Sequence, residues 1–156
     1  MKIAIIGTVG VPGHYGGFET LVENLVHYHK STDQSALLTV WCSGKDNPEQ
    51  IQRFESAQLR YVNLHANGLQ SIPYDFLSLW QAVWSCHDRI LLLGVSGALA
   101  LPLVRLMSRA RIITNIDGIE WKRNKWKGLA SLVLRASEWS AVRFSHEVIA
   151  DNQAIA

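Results

Sequence analysis

The chain has 156 residues, 48% of them hydrophobic and 18% charged, which excludes a disordered, highly charged chain. Fifteen basic against thirteen acidic residues leave only +2, too weak a bias for a general nucleic-acid binder. Two cysteines, Cys42 and Cys86, stand far apart with no CxxC, which fits a reducing compartment and excludes a disulfide scaffold.

This length predicts one domain, burying roughly 68–70% of the unfolded surface. Ile3-Ala4-Ile5-Ile6 reads as a short buried strand ending at Gly7. A glycine-rich loop runs from Gly7 to Gly17. Phe18, Leu21, Val22, Leu25 and Val26 then recur at helical spacing. Strands are expected at Leu37–Cys42 and Leu59–Leu64, with Gly44 to Gln52 as surface loop between them. Pro73 to Cys86 reads as a helix with proline near its first turn. Arg89–Gly94 is a strand, and Ala98–Met107 a helix that Pro102 kinks or starts late. Arg111–Asn115 is a strand, Trp126–Phe144 a long helix, and Glu147–Ala150 a last strand.

The uncharged stretch from Ile90 to Val104 is shorter than the ~20 residues needed to span a bilayer, and glycine and proline interrupt it. It reads as a strand running into a helix. Short, continuously apolar strands between helices predict an α/β fold, an open doubly wound parallel sheet of Rossmann-like type. Ligands on such sheets bind beyond the carboxyl ends of the strands, where strand order reverses.

The loop Gly7-Thr8-Val9-Gly10-Val11-Pro12-Gly13-His14-Tyr15-Gly16-Gly17 is neither GxGxxG nor GxxxxGK[ST], and no acid ends the second strand. A nicotinamide cofactor is therefore disfavoured. The loop is long for a strand-to-helix connection, and Gly16-Gly17 at the helix start allows a ligand close to the backbone. The second informative stretch runs from Asn115 to Trp126. It combines Asp117 and Glu120, which could orient sugar hydroxyls, with Lys122, Arg123 and Lys125, which could hold phosphate. Trp121 or Trp126 could stack on a sugar ring. A charged loop capping a helix would give the same composition.

Charge is uneven. Residues 1–104 hold six basic and eight acidic groups, whereas residues 105–143 hold nine and three. A solvated face is one reading of the basic segment. Attraction to phosphate, on a substrate or an anionic leaflet, is the other. His27 and His29 suit the dipole at a helix end better than a metal pair. Cys86-His87 lacks an orienting third group for nucleophilic chemistry. Trp80 and Trp84, four residues apart, read as core.

Two motifs carry a resemblance over the whole chain. They are Ile5-Ile6-Gly7-Thr8 with Tyr15-Gly16-Gly17-Phe18-Glu19-Thr20, and Asn115-Ile116-Asp117-Gly118-Ile119-Glu120-Trp121-Lys122-Arg123. Together they resemble the amino-terminal half of a family 4 glycosyltransferase of the GT-B fold, in its rhamnosyltransferase-like subgroup. The resemblance implies a retaining enzyme with no metal or cofactor and a nucleotide-sugar as substrate. It implies an acceptor that is a growing polysaccharide or lipid-linked glycan. Gly16 and Gly17 would face the donor, and Ser96, within Val95-Ser96-Gly97, would line the acceptor side with His14 and Tyr15. Asp117 falls near the catalytic position, where many relatives place a His, and either binds a hydroxyl or assists proton transfer. Glu120, Trp121, Lys122 and Arg123 would contact substrate.

The same resemblance places residues 1–156 as the acceptor-side domain, with the donor-binding domain absent and these residues inactive alone. It implies a cytoplasmic location, peripheral at the inner face of the plasma membrane. Without the second domain an exposed apolar cleft face would favour self-association. The alternative is a non-catalytic α/β module that binds a nucleotide or phosphosugar.

Overall fold

The computed structural model describes residues 1–13, 16–32, 35–118 and 128–151. Seven strands form one sheet: β1 (Lys2–Ile6), β2 (Leu37–Ser43), β3 (Arg53–Phe54), β4 (Ala57–Val62), β5 (Arg89–Leu93), β6 (Arg111–Ile116) and β7 (Glu147–Ala150). The helices are α1 (Gly17–Ser31), α2 (Ser71–Trp84), α3 (Leu101–Met107) and α4 (Leu129–Phe144). The strands lie in the order β3-β4-β2-β1-β5-β6-β7, and every pair is parallel except β3 with β4. The mostly parallel sheet flanked by helices is the Rossmann-like open architecture that the apolar strands predict.

Alternation along each strand feeds two core layers, so both faces need apolar residues. Ile5, Val40 and Leu93 pack with Val22 and Val26 of α1 on one face. Ile6, Leu92 and Ile112 pack with Leu79 of α2, Leu101 of α3 and Leu134 of α4 on the other. Chain order runs outward from β1 to β2 and β4, then returns to β5 on the other side of β1. The reversal opens a crevice above the carboxyl ends of β1 and β5.

Two local features differ from the sequence reading, a third decides between its alternatives, and a fourth lies partly outside the described residues. β4 begins at Ala57, two residues before the expected Leu59, because buried Ala57 pairs with both Leu38 and Phe54. The hairpin partner β3 is only two residues long, too short to show an alternation. Pro102 sits in the first turn of α3, and Ala98–Ala100 forms a separate 3-10 turn, so proline sets the start of the helix. The helix expected from Trp126 is described from Leu129, residues 119–127 being outside the described set.

Trp80 and Trp84 are a correction. They are not core: 38% and 68% of their surfaces are exposed. Tyr74, Ser78, Leu79 and Ala82 form the buried stripe of α2. The two indoles project from the opposite stripe, with Trp80 stacked against Phe76.

Cys86 and His87 lie just before β5, at the amino ends of the strands, since the N–H of Asp88 donates to the Lys2 carbonyl. His87 turns inward, with Nδ1 3.1 Å from the Ala82 carbonyl and Nε2 3.2 Å from the Thr39 hydroxyl. Burial holds its pKa below the ordinary imidazole value. His27 and His29 tie α1 to the β3–β4 turn, through Glu55 at 2.9 Å and Ser56 at 3.0 Å. No helix among the described residues is long and apolar enough to cross a membrane.

Candidate functional site

A cleft of about 740 Å³ lies at the strand-order reversal. Its floor is the carboxyl ends of the central strands, through Gly7 after β1, Gly94 after β5, and Asn115 and Asp117 on and after β6. Its walls are the amino-terminal turns of α1 and α2, with Asp151 beyond β7 at one side. A small-molecule site needs a concave, mostly apolar volume of this order with a few convergent polar groups.

Glycine makes the floor. A Cβ on Gly7 would sit 2.1 Å from the Leu93 carbonyl oxygen, so only a bare backbone lets the two central strands come this close at their ends. Gly16 and Gly17 both line the cleft, but they answer different demands. Gly16 caps α1 at φ 132°, and a Cβ there would collide with the Glu19 carboxylate. Gly17 is the first helical residue, and a Cβ there would meet nothing within 4 Å. Among the described residues its missing side chain serves no packing and leaves the α1 amino terminus open to the cleft.

Glu19 holds the loop. Its Oε1 accepts the Val9 N–H at 2.9 Å and the Thr8 hydroxyl at 3.3 Å, and the residue is buried. Glu23 accepts the Gly13 N–H at 3.1 Å. From the β2 side, the Asn47 amide donates to the Val9 carbonyl at 2.8 Å. Buried Tyr74 on α2 shares its hydroxyl proton between the Thr8 and Trp41 carbonyls, at 2.9 and 2.8 Å. The loop is thus braced from α1, β2 and α2 before any ligand arrives.

Across the cleft, α2 supplies Asp75. Its Oδ2 accepts from the Ser96 hydroxyl. Burial pushes its pKa up to about 7, against the lowering effect of the Ser96 hydroxyl and the nearby Gly97 backbone. The close approach requires Gly97, because a Cβ there would lie 2.5 Å from the Asp75 Cβ. Among the described residues, Asp75 Oδ1 and Asn115 Oδ1 are buried without a hydrogen-bond partner.

Gly16, Gly17, Ser96 and Asp117 therefore come together around one cleft, although they lie on three separate segments. Asp117 is half-buried just past β6. His14, Tyr15, Glu120, Trp121, Lys122 and Arg123 lie outside the described residues. Glu19, Asp75, Asn115 and Asp151 line the cleft without having been singled out as site residues. Asp75 had a signal: it is the only Asp, Glu, Lys or Arg between Arg60 and Asp88.

Among the described residues the cleft's charged side chains have one sign. Glu19, Asp75, Asp117 and Asp151 line it, and no Lys, Arg or His does among the described residues. Carboxylates accept from hydroxyls and repel phosphate. The α1 amino terminus is the cleft feature that favours an anion. Among the described residues, no three His, Cys, Asp or Glu side chains cluster as metal ligands.

An open parallel sheet with a ligand-sized cleft at the strand-order reversal defines a Rossmann-like α/β domain. The chain belongs to the family described as a domain of unknown function, DUF1972, whose model matches residues 1–156. Comparison with curated proteins found no match.

Proposed function

We propose that this chain is the acceptor-side domain of a glycosyltransferase of the GT-B type. The observation that carries this reading is the composition of the cleft: several carboxyl groups, Ser96 and Asn115, and no cation among the described residues. Such a lining suits a polyhydroxylated ligand better than a nucleoside diphosphate. In this reading Asp117 and Asp75 accept sugar hydroxyls, and Ser96 orients the Asp75 carboxyl. The open amino terminus at Gly17 then meets the donor's phosphates, the one anionic part of the reaction.

The resemblance of the two motifs refines the proposal to a retaining family 4 enzyme of the rhamnosyltransferase-like subgroup. Such an enzyme takes its sugar from a nucleotide-sugar held by a second domain and passes it to a polysaccharide or lipid-linked glycan. This domain's share is to fix the acceptor hydroxyl against the sugar's reacting carbon. Positioning of this kind can contribute roughly 7–11 kcal/mol to a bimolecular step. The leaving phosphate takes the acceptor proton, so Asp117 serves by hydrogen bonding.

The test is a transfer assay on the intact enzyme carrying Gly17→Val, together with circular dichroism. The expected result is a folded protein without turnover, because Gly17 lines the cleft and a Cβ there meets none of the described residues within 4 Å. Wild-type turnover would overturn the assignment.

A further inference from the structure

We propose that the outward face of α2 and α3 is an interface between two copies of this chain. Six exposed side chains make the face: Phe76, Trp80 and Trp84 from α2, and Leu103, Leu106 and Met107 from α3. The outward stripe of a solvated helix carries polar and charged residues. Here the amide of Gln81 is the polar side chain on the α2 stripe, and it is engaged, accepting the indole N–H of core Trp41 at 3.0 Å.

The face is continuous across both helices. Phe76, Trp80 and Trp84 form an aromatic ladder, with ring centroids 6.4 and 6.1 Å apart. A shallow groove beside it is lined by Phe76 and Trp80 from α2 and by Leu103 and Met107 from α3. Leu106, one turn past Leu103, is 84% exposed. A large apolar side chain offers about 150–250 Å². At their exposures of 38–84% the six present roughly 500–800 Å². Two such faces together would bury roughly 1,000–1,600 Å², against the ~1,200–2,000 Å² of a stable specific interface. Aromatic and Met side chains without charge are also the composition of an interface core.

Charge selects a second copy as the occupant. Asp75 is the one charged residue of α2 and is buried, and Arg105 is the one charged residue of α3. Arg105 turns toward α4, its guanidinium donating to the Phe144 carbonyl at 3.3 Å. The two helices therefore offer this face no cation for lipid phosphate or an acidic protein, and no acid for a basic one. A two-fold interface sets each patch against the same patch, so a neutral apolar face meets its own match and brings no like charges together. It would also set the projecting Trp84 and Leu106 of each copy against the groove of the other. Only the first turns of α2 reach the cleft, through Ser71 and Asp75, so pairing leaves both clefts open. The dimer goes beyond the transferase reading and needs neither donor nor acceptor sugar, so either claim can fail without the other.

The test is sedimentation equilibrium of the chain, with circular dichroism to show that each variant folds. The expected result is a dimer at micromolar concentration. Trp84→Ser/Leu106→Ser should weaken it at least ten-fold, since a few buried anchors carry most of an interface's energy. Both positions are exposed in the single chain, which spares the fold. Trp139→Ser on α4 removes an indole that is 65% exposed outside this face, and should leave the dimer unchanged. A monomeric wild type, or a dimer that survives Trp84→Ser/Leu106→Ser, would overturn the proposal. So would a monomer that partitions onto phosphatidylcholine or phosphatidylglycerol vesicles through the same two side chains, which would give the face to lipid.

Discussion

The Ser96 hydroxyl donates to the Asp75 carboxylate, joining the loop after β5 to the first turns of α2 at the wall of the cleft. The pair is separated by 21 residues in sequence and held together by Gly97, the one residue type that permits the approach. Burial raises the Asp75 pKa from 3.8 to about 7, so its charged form is less favourable in the folded state than in the unfolded one.

That shift has a defined sign. Between pH 3.8 and about 7 the folded state holds a proton that the unfolded state releases. This group's contribution to stability is therefore full at low pH, declines as pH rises through that window, and is flat above it. His87, whose pKa is lowered by burial, works in the opposite direction, so the comparison must be between variants. Asp75→Asn should gain stability relative to wild type as pH goes from 5 to 8. Urea denaturation at both pH values measures it, and a pH-independent difference would count against a titrating Asp75.

The glycines of the cleft should separate by what their missing side chain avoids. Gly17→Ala should leave stability within about 0.5 kcal/mol, as for an exposed surface substitution. Gly16→Ala forces an L residue to φ 132° and displaces Glu19, which should cost about 1–3 kcal/mol. Gly7→Ala drives its Cβ into the rigid Leu93 backbone, with the Leu93 oxygen 2.1 Å away, and should be the most destabilising of the three. Thermal melts of the three variants give the order directly.

Glu19→Ala removes the acceptor for the Val9 N–H and the Thr8 hydroxyl. Leaving those donors unpaired should cost about 1–3 kcal/mol. It should also free the loop, seen as faster amide hydrogen exchange at Val9 and Gly10 than in wild type. Unchanged exchange there would mean that Asn47 and Tyr74 suffice to hold the loop.

The two thiols should differ sharply. Cys42 is buried and its pKa is pushed up to about 12, mainly by that burial, whereas Cys86 is exposed. A maleimide should label the native protein at Cys86 and reach Cys42 only after unfolding. Mass spectrometry of the labelled peptides distinguishes the sites.

The sheet was legible because its strands are continuously apolar. Ile5 and Ile6 serve opposite faces, so neither could be polar. Gly16, Gly17 and Asp117 were legible because they follow strand ends, where an open parallel sheet places its ligands. Asp75 was not, because its place in the cleft depends on the chain crossing from β4 to β5 rather than on any local motif. Trp80 and Trp84 were misread for a related reason. α2 buries Ser71, Asp75 and Ser78 beside Tyr74, Leu79 and Ala82 and exposes an apolar outward stripe, so spacing alone does not say which stripe meets the sheet. The two-residue strand β3 carries too few residues for a pattern.

The central claim is that the cleft receives hydroxyl-rich acceptor rather than nucleotide. Nuclear magnetic resonance titration of the ¹⁵N-labelled chain tests it most directly, with oligosaccharide in one series and nucleotide-sugars in the other. The account predicts millimolar shifts from the oligosaccharide centred on the amides of Ser96 and Asn115, lost in Asp117→Ala, and at most weak effects from nucleotide-sugars. Micromolar binding of a nucleotide-sugar, with the oligosaccharide leaving those amides unmoved, would contradict it and make the chain a phosphosugar-binding module.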